Sequence, residues 1–378
     1  MAKIIRATTV PSSLETFCKG MLKELSEEYE VIALSSPGDD LRVISQREGV
    51  RTIAVPMERH ISLIKDFKSL IILLYVFRKE RPRMVHSMTP KAGLLCMIAA
   101  WMMKVPVRVH TFTGLVFPTS SGLKRKILML ADKVTCACAT HIIPEGEGVK
   151  DDLKKYCITD KPLRVLGFGN IRGVDMDFYT RTPSVEMKAS QLRDSSKYTF
   201  LFVGRIVRDK GINELIVAFK KLHCFLPGVR LVLVGRLEDN LDPISKDTRE
   251  DIFSYHDIVY LGPKYGEDLV SWYAASDCFV FPSYREGFPN TVLEAGAMGL
   301  PCIVTNINGS REIIRDGYNG LIIPPQDVDS LFDAMRKMIE DPSRSNMMAS
   351  VARKHIATHY EQSFVRKCLY DYYHQIMD

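Results

Sequence analysis

One segment of this 378-residue chain concentrates the side chains that could do chemistry: Ser283-Tyr-Arg-Glu286-Gly-Phe288-Pro289-Asn290-Thr291-Val-Leu-Glu294-Ala. It follows the apolar run Cys278–Phe281 and opens a helical pattern, so a strand–loop–helix unit is expected. Pro289 suits the first helical turn, where its missing N–H would be unpaired anyway. The amides of Asn290 and Thr291, with the helix dipole, would then form a seat for a phosphate. Glu286, in the loop, and Glu294, one turn inside the helix, cannot be there to bind phosphate. They suit hydroxyls on the two sides of a diphosphate, one on a sugar and one on a ribose. Taken singly, each carboxylate could be a surface acid or a dipole partner; the grouping favours the site.

A second loop, Phe202-Val-Gly204-Arg205-Ile-Val-Arg208-Asp-Lys210-Gly211, also runs from an apolar strand into a helix. Gly204 lets backbone approach closely. Arg205 as a fork and Lys210 as a point charge can flank a pyrophosphate.

The elements that must carry these loops follow one rhythm. Six short Val/Ile-rich runs (Ile4–Thr9, Glu30–Ser35, Arg51–Val55, Met84–Ser87, Val107–Phe112 and His141–Pro144) alternate with helical patterns. Six more follow: Tyr198–Val203, Leu231–Val234, Ile258–Leu261, Cys278–Phe281, Cys302–Thr305 and Gly320–Ile323. Runs this short and apolar are strands buried on both faces. The fold class is therefore α/β, two Rossmann-like doubly wound parallel-sheet domains facing a cleft. The Gly- and Pro-containing stretch 160–195 divides them. One domain is expected over 1–160 plus the terminal helix 361–378, the other over 161–360.

An apolar share of 46% and a charged share of 25% exclude a disordered or low-complexity chain. No uncharged run approaches the ~20 residues that span a bilayer, and the start lacks a signal-peptide pattern. The nine cysteines sit mostly in apolar stretches without metal spacing, as reduced core thiols of a cytoplasmic protein do. Net charge is +6, but residues 1–160 hold 24 Lys+Arg against 17 Asp+Glu, which is +7. Within them, Ile61–Lys79 and Gly122–Leu130 set lysines and arginines beside apolar residues, a pattern that fits an anionic membrane surface or a buried helix face equally. No nucleic-acid-binding pattern stands out.

Gly204-Arg205 with Lys210-Gly211, then Glu286 and Glu294 in an E-x7-E pattern, resembles the retaining glycosyltransferases of family 4, with the GT-B fold. Val85–Leu94, His110–Gly114, Val165–Asp175, Asn308–Ile314 and Gly317–Pro324 extend the likeness over nearly the whole chain, towards polysaccharide- and capsule-assembly members. The resemblance implies transfer of a hexosyl or N-acetylhexosaminyl group from a nucleotide sugar, a UDP-sugar, to a saccharide acceptor carried on a polyprenyl diphosphate, with retention. It implies no cofactor, no metal and a peripheral place at the inner face of the cell membrane. Arg205, Lys210 and Glu286 would be catalytic. Gly204, Phe288, Pro289, Asn290, Thr291 and Glu294 would bind the donor, and the final helix would return to the front domain.

The front domain departs from the family. Where many members carry Gly-Gly, this chain has Ser12 and Ser13, able to cap the following helix and offer N–H groups. Where many carry a histidine after the strand Val107–Thr111, Thr113 stands, with His110 nearby. Ser12, Ser13, His86, His110 and Thr113 are therefore the acceptor-side candidates. Two rivals remain, a nucleotide-sugar epimerase using His86 or His110, and a non-catalytic sugar-nucleotide-binding protein. Asp175-Met-Asp177 reads as turn residues, Gly167–Gly173 is one residue too long for a dinucleotide fingerprint, and His355 and His359 read as surface residues.

Overall fold

A computed structural model of the chain describes every residue except 59, 61, 241 and 378. The first position of the basic stretch Ile61–Lys79 and the last of 361–378 therefore lie outside the described residues. The described chain forms two compact units, Met1–Arg172 with Ser363–Asp378, and Gly173–Gln362. Both crossings fall later than the sequence suggested, after 172 rather than 160 and at 363 rather than 361. Segment 161–172 stays with the first unit because Leu163 bridges Ile142 and Lys161 caps the carbonyls of Cys136, Ala137 and Ala139.

The first unit is a six-stranded parallel sheet: β1 (Lys3–Ala7), β2 (Glu30–Ser35), β3 (Arg51–Ala54), β4 (Met84–Met88), β5 (Val107–Phe112) and β6 (His141–Pro144), in the order 3-2-1-4-5-6. Its strands alternate sides: Ile5 and Ala7 join one apolar cluster and Ile4 the other, as a two-residue period requires. The second unit repeats the plan with β7 (Tyr198–Val203), β8 (Val229–Val234), β9 (Ile258–Tyr260), β10 (Cys278–Phe281), β11 (Cys302–Thr305) and β12 (Gly320–Ile323), in the order 12-11-10-7-8-9. In each sheet the order reverses between neighbouring strands, β1 and β4 in one and β7 and β10 in the other. Loops at the carboxyl ends of such a pair are the usual ligand seats of doubly wound sheets.

Three local readings change. The residues between the first two strands show one helical pattern in sequence, Leu14–Ser26; in the structure it splits into helices Pro11–Cys18 and Met21–Leu25, because Gly20 takes a left-handed φ of 75° and its N–H goes to Glu48. Ser12 and Ser13 do not cap the first of these: Val10 is its N-cap, Pro11 begins it, and both serines lie inside its first turn. The stretch 160–195 contains a helix, Pro183–Leu192, capped by Thr182 on the Val185 N–H.

The terminal helix Gln362–Met377 packs in the first unit. Tyr373 is fully buried there and its hydroxyl meets Arg6 and His86. Gly167 faces the same helix: a Cβ on it would come within 3.1 Å of Phe364 and 3.2 Å of Cys368. The Gly167–Gly173 segment is thus a packing loop. All nine cysteines are free thiols; five are buried, while Cys157 and Cys224 are exposed.

Candidate functional site

The second unit brings its two chemistry-bearing loops together because β7 and β10 are neighbours. Leu201 is level with Phe279. Beyond the strands, the Tyr284 N–H bonds the Asp209 carbonyl at 2.8 Å, and the Arg285 guanidinium meets the Asp209 carboxylate at 3.0 Å. Gly211 makes this lacing possible. It sits at φ 72°, and a Cβ there would lie 2.0 Å from the Pro282 carbonyl oxygen. Gly235, just after β8, is held the same way: a Cβ there would lie 1.7 Å from the Gly204 carbonyl oxygen.

The Lys210 ammonium and the Glu286 carboxylate form an ion pair, with their side chains only 14% and 16% exposed. Ser283 donates its hydroxyl to the same Glu286 oxygen at 2.9 Å, and Lys210 lies 5.4 Å from the centre of the Phe281 ring. Arg205 stands further out, 45% exposed, and meets Glu238 at 3.1 Å. Each cation expected to hold a diphosphate is thus charge-compensated by one carboxylate. An incoming dianionic group has to compete with Glu286 and Glu238 for them.

The helix Asn290–Ala297 begins at Asn290, with Pro289 as its N-cap rather than a residue of its first turn. Asn290 and Thr291 keep their places in the first turn, partly exposed. Glu294 is buried, and the Tyr273 hydroxyl donates to its carboxylate at 3.1 Å. Burial, with Glu294 alongside, pushes the Tyr273 phenol well above its ordinary range. Phe288 is a core side chain, 5% exposed and 5.5 Å from the Tyr360 ring, so only its backbone can face a ligand.

Sequence reasoning assigned no role to three participants. Ser283 orients Glu286, and Tyr273 orients Glu294. The Asn308-Gly309-Ser310 turn abuts the carboxylate loop: a Cβ on Gly309 would lie 2.3 Å from the Gly287 carbonyl and 2.7 Å from the Phe288 Cα. Asn-Gly is a turn signal, and Ser283 lies inside the singled-out segment; nothing in the sequence ties Tyr273 to Glu294.

The first unit treats its candidates differently. His86 is buried: its Nε2 shares a 2.7 Å hydrogen bond with Thr111, and its Nδ1 lies 2.9 Å from Arg6. His110 is buried, with Nδ1 2.9 Å from the Ser87 hydroxyl and its ring against Gly93, where a Cβ would clash at 2.3 Å. Burial holds the His110 imidazole down at about 3, and burial beside Arg6 pushes His86 well below its usual value. Neither is poised as the acid or base of an epimerase. Thr113 follows β5 and is partly exposed. Thr9 and Thr89, just beyond the ends of β1 and β4 at the other reversal point, share a 2.8 Å hydrogen bond.

Asp175 uses its carboxylate on the N–H groups of Asp177 and Phe178, at 3.1 and 2.9 Å, as a turn residue does. His355 is not a surface histidine: it is buried and its Nε2 bonds the Ile313 carbonyl at 3.1 Å. Among the described residues, no three His, Cys, Asp or Glu side chains gather in a metal-binding group. Likewise, no described helix is long and apolar enough to cross a membrane.

Residues 184–355 match the family Glycosyl transferases group 1, and residues 14–169 match the Glycosyl transferase 4-like domain. The chain is 32% identical to the capsular polysaccharide biosynthesis glycosyltransferase CapM of Staphylococcus aureus, over 96% of this chain and 94% of that protein. It is 31% identical, over 85% of each, to an Escherichia coli UDP-Gal:α-D-GlcNAc-diphosphoundecaprenol α-1,3-galactosyltransferase. Among solved structures it resembles sucrose-phosphate synthase from Thermosynechococcus elongatus (TM-score 0.81, 19% identity, 99% of each chain). It also resembles Anabaena HepE in complex with UDP-glucose (TM-score 0.81, 16% identity, 99% of this chain and 100% of that one). At these identities the structural likeness establishes the two Rossmann-like domains of the GT-B fold.

Proposed function

The chain belongs to the group 1 glycosyltransferases of the GT-B fold, in the capsule- and polysaccharide-assembly branch, and from that premise we propose that it moves a hexosyl or N-acetylhexosaminyl group from a UDP-sugar to a polyprenyl-diphosphate-linked saccharide, with retention. The observation that carries the proposal is the Lys210–Glu286 pair, largely buried beside the start of the Asn290–Ala297 helix at the sheet's reversal point.

The chemistry follows from charge. The bond that breaks joins the anomeric carbon to a diphosphate oxygen, so negative charge grows on the leaving group. Lys210, Arg205 and the helix start offer positive charge where it grows, in a site already organised before reaction. When the diphosphate takes the Lys210 ammonium, Glu286 loses its partner and turns to the donor sugar's hydroxyls. Glu294, held by Tyr273, accepts from the ribose. The acceptor hydroxyl attacks the face that the diphosphate leaves, which keeps the anomeric configuration. Fixed cations supply the electrostatics, and chelation is expected to leave turnover intact.

The CapM and galactosyltransferase relatives act in capsule synthesis or on a diphosphoundecaprenol substrate, and exposed apolar and basic side chains on the first unit support a lipid-linked acceptor. Along the Leu63–Glu80 helix, Ile64, Phe67, Ile71 and Tyr75 recur on one face and are 50–74% exposed, and Leu123 and Leu130 on the Gly122–Cys138 helix are 73% and 61% exposed. Lys65, Lys68, Lys124, Arg125 and Lys126 accompany them. We place the enzyme peripherally on the inner face of the membrane.

The test is a thermal-shift screen of nucleotides and nucleotide sugars, followed by transfer to a synthetic polyprenyl-diphosphate sugar. UDP is expected to stabilise the protein, and a UDP-sugar to be consumed only with acceptor present. Stabilisation by no nucleotide diphosphate defeats the proposal.

A further inference from the structure

The opposite, amino end of the first unit's sheet carries a groove of about 800 Å³ that the transfer reaction does not use. Its cations are Lys3, Arg78, Arg81, Arg83 and Lys104, and no acidic side chain lines it among the described residues. Lys3 is compensated by Glu30 and Glu80, at 3.1 and 3.0 Å, and Arg83 donates to the Met377 carbonyl. Arg78, Arg81 and Lys104 have no acidic partner among the described residues.

Cations at helix ends ordinarily complement the dipole, and Arg78, in the last turn of its helix, does so. Arg81 and Lys104 go beyond that. Both lie past a helix end in left-handed backbone, φ 49° and 54°, where glycine is the residue without steric cost. The Asp39–Glu48 helix of the same unit ends in a glycine at that position, Gly49. The chain keeps a long cation at two strained positions that open on one groove.

The rest of the lining is apolar: Phe77, Met102, Met103 and Val105 among others. Beside it stand Tyr75, 67% exposed, and Trp101, 58% exposed, aromatic side chains of the kind that settle at the headgroup level of a bilayer. Tyr75 and Arg78 also continue the exposed row Ile64, Phe67, Ile71, at helical spacing. A soluble phosphate would need the cations alone. Cations set in an apolar lining, continuous with an exposed apolar helix row, suit a phosphate that carries chains.

We infer that this groove binds the phosphodiester headgroup of an anionic phospholipid. The inference rests on the membrane placement proposed above and gives it a specific contact. Each cation near an anionic surface strengthens partitioning roughly fivefold.

The experiment is co-sedimentation of the full chain with phosphatidylcholine vesicles, with and without phosphatidylglycerol, at low salt. The parent is expected to bind only the phosphatidylglycerol vesicles. The double variant Arg81→Gly, Lys104→Gly should bind them about 25-fold more weakly, with a melting temperature at or above the parent's, since glycine relieves both backbones. Arg81→Gln with Lys104→Gln, which keeps the side-chain bulk, should show the same loss, and Arg81→Lys with Lys104→Arg should bind like the parent. Equal binding by parent and charge-removed variants overturns the inference, as does equal binding to both vesicle types. Binding of glycerol phosphate in solution without vesicle binding assigns the groove to a soluble anion and overturns it too. Transfer from a UDP-sugar to a lipid-free acceptor, measured in the same variants, reports separately on the proposed reaction.

Discussion

At the scale of single residues, the site is a set of competing charge pairs. Lys210 and Glu286 are 14% and 16% exposed, so each keeps the other from being an unpaired, partly desolvated charge. Lys210→Ala removes the cation that we propose for the leaving diphosphate. Its kcat is expected to fall roughly 100-fold or more, the scale of losing one preorganised transition-state contact. It also strands Glu286, at a cost to stability of about 1–3 kcal/mol, less than for a fully buried pair. Lys210→Ala with Glu286→Gln should recover most of that stability and none of the rate, a split that urea unfolding and initial rates measure together. Glu294→Gln is a different case. Its carboxylate sits behind the first helical turn, held by Tyr273, so nucleotide affinity should weaken while the rate at saturation changes little. Unchanged UDP affinity in Glu294→Gln would remove the ribose assignment.

At the scale of elements, the strands were legible because a strand buried on both faces writes an unbroken apolar run. Cys278–Phe281 and Cys302–Thr305, apolar up to a final threonine in the second and buried throughout, have the same bounds in sequence and structure. What surrounds the strands was less legible. The break at Gly20 depends on Glu48, a residue far along the chain, and no local pattern announces it. His86 and His110 were candidates as polar side chains; both lie inside β4 and β5 and are covered because helices close the two sides of a parallel sheet. The pairing of Arg205 with Glu238 could not be read either, since it depends on β7 and β8 being neighbours. The glycines could be read as permissive, but not as obligatory. Gly211→Ala would drive a Cβ to 2.0 Å from the Pro282 oxygen, a backbone contact that cannot yield as a side chain does. We expect a loss of about 3 kcal/mol or more, among the large effects that special backbone positions produce. UDP binding should fall with it, because this contact laces the lysine loop to the carboxylate loop. Gly228→Ala, whose Cβ meets only a carbonyl at 3.6 Å, is the control and should cost little. Equal stability of the two variants in urea would show that the loops are not locked through Gly211.

At the scale of the molecule, charge and titration are divided unequally between the units. The first unit holds 29 Lys+Arg against 19 Asp+Glu, a net +10, and the second holds 22 against 26, a net −4. Of the three buried histidines, His86 and His110 lie in the first unit, and their effect on stability has a definite sign. Folding lowers the imidazole pKa, for His110 from 6.5 to about 3. Between these values the unfolded chain binds a proton that the folded chain refuses. The stabilisation from keeping His110 neutral is therefore fully present above about pH 6.5 and is lost as pH falls towards 3, at about 1.4 kcal/mol per pH unit. Asp132 works the other way: burial raises its carboxyl to about 7, so its contribution declines as pH rises from 3.8 to 7. The pH profile of the whole protein mixes these opposed slopes, and only a difference between variants isolates one of them. His110→Asn keeps a hydrogen-bonding group near the Ser87 hydroxyl and removes the titration. Urea unfolding of parent and variant across pH 4–7 should then give curves that converge as pH falls, the parent losing about 1.4 kcal/mol more per unit below pH 6.5. Parallel curves would mean that His110 takes up its proton in the folded state, and that the packing of β5 against Gly93 opens more readily than its burial implies.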